Sequence, residues 1–272
     1  MPRLKIGLVG CGAIGTSLAK AIKKDFAKKA ELAAVYDIDS SKSAKISALF
    51  KSRSLAVSSL EKLINRSQLV IEAASASCSW DVARKVLLKK RDVMVMSIGG
   101  IVSRKVELSR LAAKAGARVY LPSGAISGVD SLKAAMFGKV KSVTLTTRKN
   151  PIAFKGVKYV EGLGLDLEKV EDDTLLFSGP ASEAVKNFPQ NINVAALLSI
   201  AGIGQDKTMV EILACPGVTK NIHEVSIESE AGSVFTRTEN ILHPDNPKTS
   251  YMAVLAAVAT LKQIMEPVVT GT

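Results

Sequence analysis

A short apolar run that breaks into a glycine-rich turn and resumes as a helix leaves a chain few folds to choose from. Lys5-Ile6-Gly7-Leu8-Val9 has strand character, Gly10-Cys11-Gly12-Ala13-Ile14-Gly15 follows directly, and Leu18, Ala19, Ala21 and Ile22 then recur with helical spacing. A second apolar run, Leu32-Ala33-Ala34-Val35-Tyr36, ends on Asp37. That is the window, about 20 residues on, in which a dinucleotide-binding unit carries its acid. In such a unit Gly10 permits the tight turn, Gly12 lets a pyrophosphate approach the backbone, and Gly15 lets the helix pack on the strand, while free N–H groups at the helix start attract phosphate. Gly10, Gly12, Ala13, Ile14, Gly15 and Asp37 are therefore the candidate cofactor-binding residues of this stretch. Asp37 favours NAD, because a carboxylate repels the 2′-phosphate of NADP. Ser40, Ser41 and Lys42 follow closely and would bind that phosphate if the loop folded back, so the cofactor reads as NAD or NADP.

From about Ser40 to Tyr120 short strands and helices alternate, the pattern of a parallel sheet. The runs 69–75, 93–100 and 118–125 each read as a buried strand ending in small residues, where an open α/β sheet binds its ligands. Between the last two, Ser103 to Gly116 reads as a covering helix closed by glycine. Trp80 falls near the start of another helix and reads as packing. After Asp130 the pattern changes: Val140 to Arg148 alternates with period two, as do Thr208 to Ala214, Ile222 to Ile227 and Ser233 to Thr238. A short helix starts at Pro180, and Asn193 to Gly202 reads as a buried helix with Asn193 at its N-cap. The expected fold is α/β: an N-terminal Rossmann doubly wound parallel sheet with a second α+β domain of mostly antiparallel sheet. Residues 1–130 form the dinucleotide domain, joined by a C-terminal segment 246–272, and residues 131–245 form a catalytic and substrate domain that is also a candidate dimerisation surface. The segment Asn246 to Ser250 is expected to cap a long apolar helix from Tyr251 to Met265, buried against the first domain or in a homodimer.

The formal charge of +12 raises a nucleic-acid reading, but the basic residues are scattered in twos and threes (Lys23-Lys24, Lys28-Lys29, Lys89-Lys90-Arg91) among few aromatics. They read as solvated faces that steer anions, and no nucleic-acid partner is expected. Cys11, Cys78 and Cys215 form no CxxC pair, which argues against a disulfide framework or a zinc site. Cys11 reads as a small side chain packed under the glycine turn. No signal-type segment and no run of about 18 apolar residues is present. A soluble cytoplasmic protein without a membrane partner is the expectation.

The chain resembles the L-aspartate dehydrogenases. The resemblance rests on Gly10 to Gly15, Ser123-Gly124-Ala125-Ile126, Thr146-Thr147-Arg148-Lys149-Asn150, Ser182-Glu183-Ala184, Phe188-Pro189-Gln190-Asn191-Ile192-Asn193-Val194-Ala195-Ala196, Asn221-Ile222-His223-Glu224 and Asn246-Pro247-Lys248-Thr249-Ser250. Gln190 departs from the expected Lys, and residues 155–173 are longer than in compact members. The resemblance implies NAD- or NADP-dependent oxidation of L-aspartate to iminoaspartate, which hydrolyses to oxaloacetate and ammonia or feeds NAD biosynthesis through quinolinate. It implies His223 as catalytic residue and Ala125 and Asn193 as cofactor contacts. Residue chemistry points the same way: removing a hydride from an amino-acid Cα requires a neutral amine, and a group titrating near neutrality, such as His, handles the protons. Of the two histidines, His243 is expected in an exposed loop, Leu242-His243-Pro244-Asp245. Two alternatives stay open. One is a related two-domain reductase on another small acid, of homoserine or dihydrodipicolinate type; the other is a dinucleotide sensor without catalysis.

Overall fold

The computed structural model describes residues 2–188, 193–244 and 246–271, without the side chains of 247 and 248. Pro189 to Ile192 and Asp245, named above, lie outside the described residues. The chain divides into two compact units, Met1–Pro122 with Val254–Thr270, and Ser123–Ala253 with Gly271–Thr272.

The first unit contains β1 (Leu4–Val9), α1 (Ala13–Lys24), β2 (Ala30–Tyr36), α2 (Ser40–Leu49), α3 (Leu60–Arg66), β3 (Leu69–Glu72), α4 (Ala76–Leu88), β4 (Asp92–Val95), α5 (Lys105–Ala115) and β5 (Val119–Tyr120). The strands pair in parallel in the order β2-β1-β3-β4-β5. Parallel strands covered on both faces read as continuous apolar runs, and β3 is buried at all four positions. Leu18, Ala19 and Ile22 turn one stripe of α1 into the core beneath the sheet. Strand order reverses between β1 and β3, so a topological switch point lies at their carboxyl ends. Gly116 closes α5 in the left-handed region at φ 61°. The third expected strand is much shorter than 118–125: β5 stops at Tyr120, because Pro122 has no N–H to donate and Gly124 turns the chain at φ +69°. Trp80 lies within α4, with the Arg104 guanidinium 5.0 Å from its ring.

The second unit contains α6 (Val129–Ala135), β6 (Val140–Lys149), α7 (Lys158–Glu161), β7 (Thr174–Pro180), α8 (Ala181–Asn187), α9 (Asn193–Ala201), β8 (Thr208–Ala214), β9 (Asn221–Ser229), β10 (Gly232–Asn240), β11 (Leu242–His243) and β12 (Asn246–Ser250). Its main sheet runs β10-β9-β6-β8-β7, antiparallel except between β6 and β8. Period two divides this sheet cleanly. Val143, Leu145, Val210, Ile212, Val225 and Ile227 are buried on one face, where α8 and α9 pack on β8. The other face carries ion pairs, with Arg148 pairing with Asp173 at 2.9 Å and with Glu224 at 3.3 Å and Glu224 also pairing with Arg237, beside the exposed apolar Met209 and Phe235. Phe154, Tyr159, Phe177 and Phe188 form an aromatic cluster, with ring centroids 5.3–6.4 Å apart, that anchors the segment after β6.

The segment before the last helix forms β12, which pairs antiparallel with β11. α10 (Tyr251–Met265) then follows. Its stripe Val254, Ala257 and Leu261 is buried, the last two within the core of the first unit, while Tyr251, Met252 and Leu255 are exposed. Lys29 and Glu266 pair at 2.8 Å across the same unit. Among the described residues, no helix is long and apolar enough to cross a membrane.

Candidate active site

The glycine turn sits at the switch point of the first unit. Gly10 takes φ +88°, donates its N–H to the Tyr36 carbonyl at 2.9 Å, and lies so close to the β3 loop that a Cβ would be 2.5 Å from the Ala73 carbonyl oxygen. A Cβ on Gly15 would stand 2.0 Å from the Gly10 carbonyl oxygen, so only glycine lets α1 start this close to the strand. Gly12 is the opposite case: it is exposed, with nothing among the described residues within 4 Å of where a Cβ would be. Among the described residues no side chain caps α1, and no acid occupies its first turn. The helix start, at Ala13 and Ile14, therefore presents orphan N–H groups and the positive end of the helix dipole to an open space. These residues fit a dinucleotide pyrophosphate.

Asp37 is brought to this turn from the end of β2. Its Oδ2 accepts the Cys11 N–H at 2.7 Å and its Oδ1 accepts the Asp39 N–H at 2.9 Å. A carboxylate has lone pairs beyond these two bonds, available to a ribose diol. Asp39 caps α2 by accepting the Ser41 N–H at 3.0 Å, and Lys42 stands 3.9 Å from the same carboxylate, so Ser40 to Lys42 form the first turn of α2. Cys11 is buried beneath the turn, where desolvation, with a contribution from Asp37, pushes its thiol up to about 12. Such a thiol is inert.

One buried acid escaped the sequence reading. Glu72, fully buried at the end of β3, accepts the Ala74 N–H at 2.8 Å, the Ser97 N–H at 3.1 Å and the Ser97 hydroxyl at 2.9 Å. Burial raises its pKa against the opposing pull of these bonds. It fixes the loop on which Gly10 rests.

The second unit gathers polar groups at one end of its buried sheet face. His223 of β9 lies opposite Thr147 of β6 and Thr238 of β10. Its ring is buried, with Nδ1 3.0 Å from the Thr147 hydroxyl. Burial, reinforced by the charge of Lys149, pushes its pKa down to about 3. The imidazole is therefore neutral at physiological pH, and among the described residues only its Nδ1 has a hydrogen-bond partner. Lys149, the last residue of β6, is buried too, and desolvation lowers its pKa to about 8. His223 thus lies below the near-neutral range expected from the sequence, while Lys149 lies closer to that range from above.

Ala125 is held at this end as well. Its carbonyl accepts the Thr238 hydroxyl at 2.9 Å and the Asn240 amide at 3.0 Å. Asn193 is the first residue of α9 and is exposed. A Cβ on Gly124 would stand 3.7 Å from Val194, so the chain before Ala125 abuts the chain after Asn193. His243 departs from expectation. It is buried in β11 at 3% exposure, edge-on to the Tyr251 ring at 5.5 Å, because the β11–β12 pairing folds the start of α10 over it.

A glycine turn at the switch point of a parallel sheet, followed by an acid at the end of the second strand, is the dinucleotide-binding arrangement of NAD(P)-dependent oxidoreductases, and this chain is of that class. A family model described as "Aspartate dehydrogenase, C-terminal" matches residues 130–264, and one described as "Homoserine dehydrogenase, NAD binding domain" matches residues 10–122. The chain is 45% identical to the L-aspartate dehydrogenase of Methanosarcina barkeri over 271 residues, covering 99% of this chain and 100% of the relative. With the L-aspartate dehydrogenase of Methanococcoides burtonii it shares 46% over the same coverage. The crystal structure of aspartate dehydrogenase from Thermotoga maritima superposes with a TM-score of 0.76 at 25% identity, covering 99% of this chain and 100% of that one. The chain belongs to the L-aspartate dehydrogenase family.

Proposed function

We propose that the protein is an NAD(P)-dependent L-aspartate dehydrogenase, that His223 is its proton-transfer residue, and that Gly10, Gly12, Ala13, Ile14, Gly15, Asp37, Ala125 and Asn193 contact the cofactor. The observation that carries the reading is a buried, neutral His223 fixed through Nδ1 by Thr147, in a chain that matches L-aspartate dehydrogenases over nearly its whole length. A nicotinamide cofactor held by these residues would supply the hydride acceptor for the substrate Cα. The chain does the rest. Orphan N–H groups at Ala13 and Ile14 bind phosphate, and Asp37 orients the adenosine ribose, which favours NAD while leaving NADP open. His223 takes a proton from the substrate ammonium, so that hydride loss from Cα yields the protonated imine; once the ring has released that proton to solvent, it accepts a proton from the water that attacks that carbon. The sum is L-aspartate and NAD(P)⁺ giving iminoaspartate, NAD(P)H and a proton, and hydrolysis then gives oxaloacetate and ammonia.

A homoserine-type alternative is supported by the match at residues 10–122 alone, whereas the half that carries His223 matches the aspartate enzymes. We infer a homodimer, since β10 is a nine-residue edge strand with Phe235 exposed at 66%. A reducing cytoplasm suits Cys11, Cys78 and Cys215, none of which is disulfide-bonded. The test is NAD(P)H formation against a panel of amino acids. Reduction with L-aspartate well above alanine, glutamate and homoserine is expected, and equal or absent turnover with aspartate overturns the assignment.

A further inference from the structure

We propose that Lys149, set on the same buried sheet face as His223, is the cation that binds a carboxylate of the substrate. The inference deepens the proposed activity and rests on it. Alternation along β6 puts residues 143, 145, 147 and 149 on one face, and all four are buried. The register pairs Thr147 with His223. Lys149 thus projects one pleat farther along that face, a diagonal neighbour of the imidazole at the spacing from which long side chains interact. The Lys149 charge adds to burial in lowering the His223 pKa.

The base of the lysine is fixed from the β8 side. Lys149 pairs with Ala214 of β8, and its carbonyl accepts the Cys215 N–H at 2.7 Å. A charge held by strands on a sheet is more tightly placed than one on a loop.

The substrate supplies the reason for such a charge. L-aspartate brings two carboxylates and one ammonium, and the reaction discharges only the ammonium. Once the ammonium has given up its proton the substrate is a dianion, which a desolvated site must match with positive charge, and a lysine ammonium is a compact point charge suited to one carboxylate. Lys149 lies at 5% exposure, where little water screens it. A carboxylate docked there also offsets the field that Lys149 imposes on His223, so the imidazole becomes a stronger base in the substrate complex than in the free enzyme.

The experiment measures succinate, an unreactive dicarboxylate, binding by calorimetry to the NADH-loaded enzyme, together with KM for aspartate. The proteins compared are wild type, Lys149→Met and Lys149→Arg. Loss of one buried charge-assisted contact is expected to weaken succinate roughly 10- to 150-fold in Lys149→Met, to raise the aspartate KM by a similar factor and to leave NADH affinity within about twofold. Lys149→Arg retains part of the succinate affinity. Succinate affinity and aspartate KM unchanged in Lys149→Met overturn the proposal, as does Lys149→Arg losing succinate and NADH binding together. If wild type oxidises no aspartate yet binds succinate in a Lys149-dependent manner, the carboxylate site stands and the assigned activity falls. If it oxidises aspartate and the variants bind succinate normally, the activity stands and the site falls.

Discussion

Keeping His223 neutral makes the fold sensitive to acid. In the unfolded chain the imidazole has its ordinary pKa of 6.5; in the fold, burial and Lys149 lower this to about 3. Between those values the unfolded state binds a proton that the native state refuses, so stability is present above pH 6.5 and is lost as the pH falls toward 3. From pH 7 to pH 5 the unfolded state gains about 2 kcal/mol by protonating this one residue, while the native state gains almost nothing. Wild type should therefore lose about 2 kcal/mol more stability over that interval than His223→Gln, measured by urea unfolding at the two pH values. Proton NMR supplies the direct check, because the chain has only two histidines. The Cε1 resonance that disappears in His223→Gln should show no titration between pH 8 and pH 5. A midpoint near 6.5 for that resonance, or parallel losses of stability in the two proteins, would refute the reasoning.

Three further outcomes follow from the geometry. Gly15→Ala places a methyl against the Gly10 carbonyl at 2.0 Å, and should cost about 1–3 kcal/mol of stability together with dinucleotide affinity; a variant with normal NADH affinity and normal Tm contradicts the close approach. Asp37→Ala removes the acceptor for the Cys11 and Asp39 N–H groups and a ribose contact, so both cofactors should weaken, NAD by roughly tenfold more than NADP. An unchanged ratio of the two dissociation constants would remove Asp37 from the ribose. Leu261→Ala, at a fully buried position of α10 in the first unit's core, should cost about 2–5 kcal/mol in chemical denaturation, and a loss under 1 kcal/mol would mean that the helix packs elsewhere.

Much of this was legible in the sequence, for identifiable reasons. The dinucleotide turn announces itself because the glycines stand at fixed spacing between an apolar strand and an amphipathic helix, with Gly15 forced by the Gly10 carbonyl five residues away, and β6, β8 and β9 announce themselves because buried and partly exposed positions alternate along them. Lys149 was legible in principle: it falls in phase with Val143, Leu145 and Thr147, on the side of β6 that must be buried. Glu72 carries a similar signal, a lone acid closing Leu69-Val70-Ile71. What the sequence withheld depends on partners distant along the chain. The protonation state of His223 is set by burial and by residues on β6 that lie far away in sequence. The burial of His243 follows from a pairing of β11 with β12 that a reading of Pro244 as loop does not anticipate. β5 is short because Pro122 and Gly124 redirect the backbone, which an apolar run alone does not reveal.

The central claim is that this chain oxidises L-aspartate with His223 moving the proton. The most direct test is NAD(P)H formation from L-aspartate by wild type and His223→Ala, with NADH binding measured on both. The account predicts turnover in wild type, a kcat lowered by roughly 10²–10⁴-fold in the variant, and nearly unchanged NADH affinity, since the dinucleotide is held by the glycine turn. Wild type without turnover on aspartate, or His223→Ala with near-normal kcat, would contradict it.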